Sequence, residues 1–264
     1  MRRLFRFLIG LAACGVLLFG AVNLGAYIRE SNKSISLNEN LVEDAVHLKN
    51  SESQSLDADI VSAQETTSEA EQIPPEEAPI EVDFDALLEK NADIIGWLYS
   101  EDTPINLPVV QSSDNEYYLR RLIDGAWNSA GTLFVDYRNG GDFSDSNTII
   151  YGHNMKNKEM FGTLPNYKDQ SYFDEHSIMW LLTPDGDYKI ELIAGCVTSA
   201  SSDVYSIDSS EEDVLAMVQR SIENSTFTTD VEIHPGDRFL TLSTCSYEYD
   251  NARYVLIGRM IALK

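Results

Sequence analysis

The stretch RFLTLSTCSYEYDNARYVLIGRMIAL, residues 238–263, decides the fold. Two runs rich in β-branched and aromatic residues, RFLTLSTC and RYVLIGRMIAL, flank a short polar loop. Runs of that composition read as strands, and so short a loop returns the second strand beside the first. Upstream, GTLFVDY, NTIIYGH, SIMWLLT and YKIELIAGCVT repeat the pattern, and TPDGDY between the last two carries an Asp-Gly hairpin turn. Two helices are expected ahead of the strands. DFDALLEKNADIIGWLY spaces Phe84, Leu87, Leu88, Ile94, Ile95 and Leu98 along one helical face with Asp83 as N-cap, and DNEYYLRRLID (114–124) suggests a second, shorter helix. SSEEDVLAMVQRSIENS (209–225) opens on serine followed by acids and aligns Val214, Leu215, Val218 and Ile222, which predicts a helix inserted before the last strand pair. The fold class is therefore mainly β, and many short strands with a late crossover helix point to a closed or partly closed barrel. There is no internal repeat, phosphate-binding glycine motif or Cys/His metal pattern.

The chain has 264 residues, 43% of them hydrophobic, and a formal net charge of −24. FLIGLAACGVLLFGAVNLGAYI, residues 7–28, carries no charge and is long enough to cross the ~30 Å hydrocarbon layer of a bilayer as a helix. It exceeds the apolar region of a signal peptide and ends in a poor cleavage site, so it predicts an uncleaved transmembrane anchor. Arg2, Arg3 and Arg6 precede it and mostly acidic residues follow, which places residues 1–6 in the cytoplasm and the remainder outside a single-pass cell-membrane protein. Residues 29–81, rich in Ser, Glu, Asp, Gln and Ala and ending in IPPEEAP, read as an acidic flexible linker, with a helical hint in LNENLVEDAVHLK (37–49). Residues 82–264 are the folded domain. The acidic balance argues against a nucleic-acid partner. Only Cys196 and Cys245 lie outside the apolar run, too few for a disulfide framework. Cys196, within ELIAGCV, reads as a small buried hydrophobe, with a bridge to Cys245 as the alternative.

A thiol becomes a strong nucleophile where a base or a positive environment favours its thiolate, so a catalytic cysteine needs a histidine or cation beside it. Cys245 closes the strand RFLTLSTC and His153 follows the strand of NTIIYGHN, so both belong at strand ends, where rigid scaffolds present reactive groups. Arg253 opens the next strand, and hairpin pairing returns it to the thiol. Its permanent charge and planar donors suit a substrate carbonyl or a developing oxyanion. The structural alternative pairs Arg253 with Glu248 or Asp250 across the loop. His176, in YFDEHSIM, and His234, in EIHPGD, read as surface residues.

TLSTC at 241–245, the arginine at 253, the strand ending in YGHN at 151–154 and the N-terminal apolar run together resemble the sortases, membrane-anchored cysteine transpeptidases of Gram-positive surfaces. The similarity covers about residues 82–264. Two N-terminal helices, the QSSDNEYYL segment, MFGTL after the histidine and a helix before the cysteine strand make it most like class B. The resemblance implies an eight-stranded sortase barrel in which Cys245 attacks the bond after Thr in the C-terminal sorting signal of a surface protein. A thioester acyl-enzyme would form, to be resolved by an amine acceptor of the cell wall such as a peptidoglycan precursor, or by a pilin lysine. His153 would protonate the leaving amine and deprotonate the incoming one, and Arg253 would position the signal and stabilise the oxyanion. Ser243 and Asn115 match substrate-groove positions of class B relatives, Asn115 being equally readable as a helix cap. Asp142 and Asp145 suggest the loop acids that bind calcium in class A, but class B enzymes generally lack that site, so no metal and no cofactor are expected. The alternatives are a pilin-polymerising sortase, a peptidase that hydrolyses its acyl-enzyme, and an inactive membrane-tethered binding protein on the same fold.

Overall fold

The stretch that follows the apolar run folds onto the domain. In the computed structural model, which describes residues 2–49, 77–207 and 209–263 with side chains from residue 14 onward, helix α1 (Arg2–Ala45) leads into a short strand, β1 (Val46–Leu48). β1 pairs antiparallel with β2 (Ile80–Val82), and the Lys49 N–H donates to the Pro79 carbonyl at 3.0 Å. The linker expected over 29–81 is therefore shorter than its sequence suggested. Leu37, Leu41, Val42 and Ala45 fall at helical spacing, and this stripe buries Leu41 and Ala45 in a cluster with Leu87, Trp97 and Trp180. Residues 50–76 of that linker lie outside the described residues. Among the described residues no helix is long and apolar enough to cross a membrane; the 7–28 run begins in residues whose side chains lie outside them. From Val16 to Ile28 its large apolar side chains are exposed.

The segment read as one helix over 83–98 is a helix followed by a strand. α2 (Phe84–Lys90) begins as expected at Asp83, whose carboxylate accepts from the Ala86 N–H at 3.0 Å. Asn91 then turns extended, and β3 (Ile94–Tyr99) follows. Ile94 and Ile95 suit a strand, and Trp97 and Leu98 find a core there. β4 (Asn106–Val110) was not foreseen, because Pro108 inside a run argues against a strand. The helix expected over 114–124 is only a single 3₁₀ turn, Tyr118–Arg120. There Asp114 folds back to accept the N–H groups of Glu116 and Tyr117, and a tight loop closed at Gly125 (φ +76°) reverses the chain.

The remaining strands fall where the sequence placed them: β5 (Leu133–Val135), β6 (Asn147–Tyr151), β7 (Ile178–Leu182), β8 (Tyr188–Ser199), β9 (Arg238–Cys245) and β10 (Ala252–Ala262). With β3 and β4 they close an eight-stranded barrel in the order β10-β8-β7-β3-β4-β5-β6-β9. Neighbours are antiparallel except β4 with β5 and β6 with β9, which run parallel. Leu98, Val109, Leu133, Ile150, Leu181, Ile190, Leu240 and Leu256 fill the interior from all eight strands. A short helix, α3 (Gln170–Glu175), precedes β7. The inserted helix, α4 (Glu211–Glu223), is capped by Ser210, which accepts from the Asp213 N–H, and seats Val214 and Val218 against Ile193 and Val255.

Candidate active site

The parallel pair β6 and β9 brings two distant sequence positions level. Tyr151 lies opposite Ser243, and the register is carried past the strand ends by three bonds. Gly152 N–H donates to Ser243 C=O at 3.1 Å, Thr244 Oγ1 to Gly152 C=O at 2.7 Å, and Asn154 Nδ2 to Cys245 C=O at 2.8 Å. His153 and Cys245 each stand two residues beyond the Tyr151–Ser243 pair, so both project to the same side on adjacent chains. Antiparallel pairing of β9 with β10 sets Arg253 directly opposite Cys245. The three side chains line one cavity of about 200 Å³, whose walls include Leu119, Phe134 and Tyr151. Gly152 permits the approach: a Cβ there would sit 2.5 Å from Leu133 Cδ2 and 2.6 Å from Phe161 Cδ2.

Each group is poised differently. Cys245 is a free, partly exposed thiol. His153 donates from Nε2 to the Leu119 carbonyl at 2.7 Å, which leaves Nδ1 as the other ring nitrogen. Burial pushes its pKa below the ordinary 6.5, and the nearby Arg120 adds to this against the opposing pull of the Leu119 bond, so the resting imidazole is neutral near pH 7. Arg253 bonds the Ala252 carbonyl at 3.0 Å and, among the described residues, makes no salt bridge. The pairing with Glu248 that the sequence allowed does not form. Glu248 binds Lys168 and Ser246 instead, and the Lys168 hydrogen bond is the main cause that brings its carboxyl down to about 2.

Ser243 and Asn115 also line the cavity, both already engaged with protein. Ser243 Oγ lies 2.8 Å from the Tyr205 hydroxyl, whose pKa burial raises to about 12. Asn115 caps no helix. Its Oδ1 accepts from the Tyr137 N–H at 3.0 Å and its Nδ2 donates to Asp136 at 3.1 Å. Asp136 is the residue that sequence reasoning missed. Its fully buried carboxylate accepts from Arg138 Nε at 2.9 Å and Nη2 at 2.7 Å, and from the Tyr151 hydroxyl at 2.9 Å. Burial alone would raise its pKa, but these bonds, Arg138's first, outweigh it and hold the group below the usual carboxylate range. Tyr151 in turn stacks on Tyr205, with centroids 6.2 Å apart. The Asp-x-Arg spacing of 136–138 was the only sequence signal for this network.

The other candidates lie elsewhere. His176 rests on the Tyr172 ring at 4.5 Å, and His234 is exposed beside Glu232 and Asp237. Cys196 is buried and unbridged, and burial raises its thiol to about 11. Asp145 accepts from Asn139 and Gly140, and Asp142 from Ser144.

The chain has counterparts among known proteins. No family model matches the sequence. The chain is 37% identical over 176 residues to sortase B of Listeria monocytogenes, covering 65% of this chain and 71% of that protein. Its fold matches that of sortase B from B. anthracis in complex with AAEK1 with a TM-score of 0.68, at 29% identity over 90% of this chain and 99% of the other. A Staphylococcus aureus sortase B–substrate complex matches with a TM-score of 0.65, at 29% identity over 69% and 85% of the two chains.

Proposed function

Since the chain belongs to the class B sortases and is thus a cysteine transpeptidase, we propose that Cys245 is its nucleophile, His153 its acid and base, and Arg253 its oxyanion partner. The observation that carries this reading is the convergence of the three side chains on one small cavity from β9, β10 and the end of β6. The Cys245 thiolate adds to the carbonyl carbon of the Thr in a C-terminal sorting signal. The oxyanion that develops faces the guanidinium across the strand pair. The C–N bond then breaks, the leaving amine takes a proton from His153, and a thioester remains on Cys245. An amine acceptor of the cell wall, such as a peptidoglycan precursor, gives its proton to His153 and attacks the thioester, which releases the free thiol and a new amide. Because His153 rests neutral, only a minority of molecules hold the thiolate–imidazolium pair at any moment.

The sorting-signal substrate draws support from the S. aureus enzyme, which is known as a substrate complex. Residues 7–28 serve as the membrane anchor in this reading, with the catalytic domain outside the cell. Support comes from the sequence of the run and from the Val16–Ile28 side chains, whose large apolar groups are exposed among the described residues.

The test is mass spectrometry of the full chain in detergent with sorting-signal peptides and an amine acceptor, beside Cys245→Ala. A peptide cleaved after Thr, an acyl adduct on Cys245 and an amide product missing from the variant are expected. Cleavage to the free acid alone would replace transfer by hydrolysis. Amide formation only with a pilin lysine would make the enzyme a pilin polymerase. A folded wild type as inert as the variant would leave a binding protein on this scaffold.

A further inference from the structure

The apolar run and the domain meet with almost no chain between them. α1 is continuous, its uncharged run ends at Ile28, and Glu30 is already fastened to the barrel. The Glu30 carbonyl accepts from Asn128 Nδ2 at 2.8 Å and its carboxylate from Ser129 Oγ at 2.8 Å. Asn157 Nδ2 donates to Ser31 Oγ at 2.8 Å, and Lys33 pairs with Asp124 at 3.0 Å. Two residues of helix rise only ~3 Å. The loops 119–129 and 156–159 therefore stand where the apolar helix leaves the domain.

Those loops differ from the rest of the molecule. In a chain of net charge −24, Arg29, Lys33, Arg120, Lys156 and Lys158 are exposed together there. The acids among them are engaged: Glu30 with Ser129, Asp124 with Lys33, and the half-buried Glu159 with Ser31. Trp127 is 56% exposed on the same hairpin, paired across it with Arg121, and Leu119 is exposed nearby. An exposed indole among lysines and arginines beside an apolar helix matches the composition of the bilayer interface, where amphipathic rings sit at headgroup level and basic groups meet anionic lipid.

We propose that the 119–129 and 156–159 loops rest on an anionic lipid surface with Trp127 inserted among the headgroups, which fixes the catalytic domain in one orientation on the membrane. The inference rests on the anchor role given to residues 7–28. Leu119, whose carbonyl holds His153, belongs to this surface, so the catalytic cavity opens near the headgroup plane.

Trp97 and Trp180, the other two tryptophans, are buried at 0% and 2% exposure, so contact quenching reads Trp127. The full chain is reconstituted in phosphatidylcholine–phosphatidylglycerol vesicles, with and without brominated acyl chains, beside Trp127→Phe to define the Trp127 emission. At least half of that emission is expected to be lost to the bromines, and Lys156→Glu with Lys158→Glu is expected to restore most of it. If the chain floats with the vesicles while Trp127 stays unquenched, the lipid-facing surface is overturned and the anchor stands. If the chain does not float with them, the anchor falls and this surface with it.

Discussion

Arg253 and His153 carry the sharpest expectations at the scale of single residues. Arg253→Lys keeps the charge but loses the planar fork opposite Cys245, so kcat is expected to fall ~10²-fold while iodoacetamide alkylates Cys245 at an unchanged rate. The pH dependence follows from one shared proton. In the proposed mechanism Cys245 and His153 work with a single proton between them, and protonating the imidazole below its pKa adds a second. Because burial lowers that pKa in the folded enzyme, the acid limb of kcat/KM is expected below pH 6.5, with the His153 ring titrating in step by NMR. The convergence of Cys245, His153 and Arg253 on one cavity was legible in the sequence, since side chains at the ends of apolar strands leave a local trace. Asp136 left almost none. Nothing in GTLFVDY says that its one acid turns inward, because burial of a carboxylate is decided by Arg138, Tyr151 and Asn115, which only the folded chain assembles.

Among elements, the Asp136 carboxylate ties β6 and the 114–117 turn to the strand end from which it comes. Asp136→Asn is expected to cost about 2 kcal/mol at pH 7, the range for hydrogen bonds to a charged group, read from denaturant unfolding. The sign follows from a native pKa held below 3.8. The advantage of the wild type is complete above that value and shrinks as the pH falls through the lower native value, so the two proteins should converge in acid. The strands that alternate or run apolar were readable, as was α4 with its Ser210 cap. α2 and β3 were fused into one helix because Phe84, Leu87, Ile94 and Leu98 keep helical spacing across Asn91, where the backbone turns extended. β4 was lost to Pro108, a residue with no N–H to give, which the barrel accepts opposite Trp97.

For the whole molecule, the pairing of β1 with β2 makes the acidic stretch a detour rather than a leash. One proteolytic cut between residues 50 and 76 is expected to leave the N-terminal fragment attached, held by Leu41, Ala45 and the 2.7 Å pair of Lys90 with Asp44. Native size exclusion in detergent should show one species, and a denaturing gel two. Sequence alone favoured a flexible linker there because its composition is that of disordered chain, and no local pattern reveals that the residues flanking it pair with each other. The closed barrel has a different consequence, for how a peptide is read. An open sheet can bind an extended peptide as an added strand, taking up its backbone amides irrespective of side chain. A cylinder whose eight strands all have two neighbours offers no such free row. An extended substrate must then be gripped by side chains and loop carbonyls, so recognition is concentrated in a few residues around the bond to be cut, and replacing its outer amides with esters should cost little.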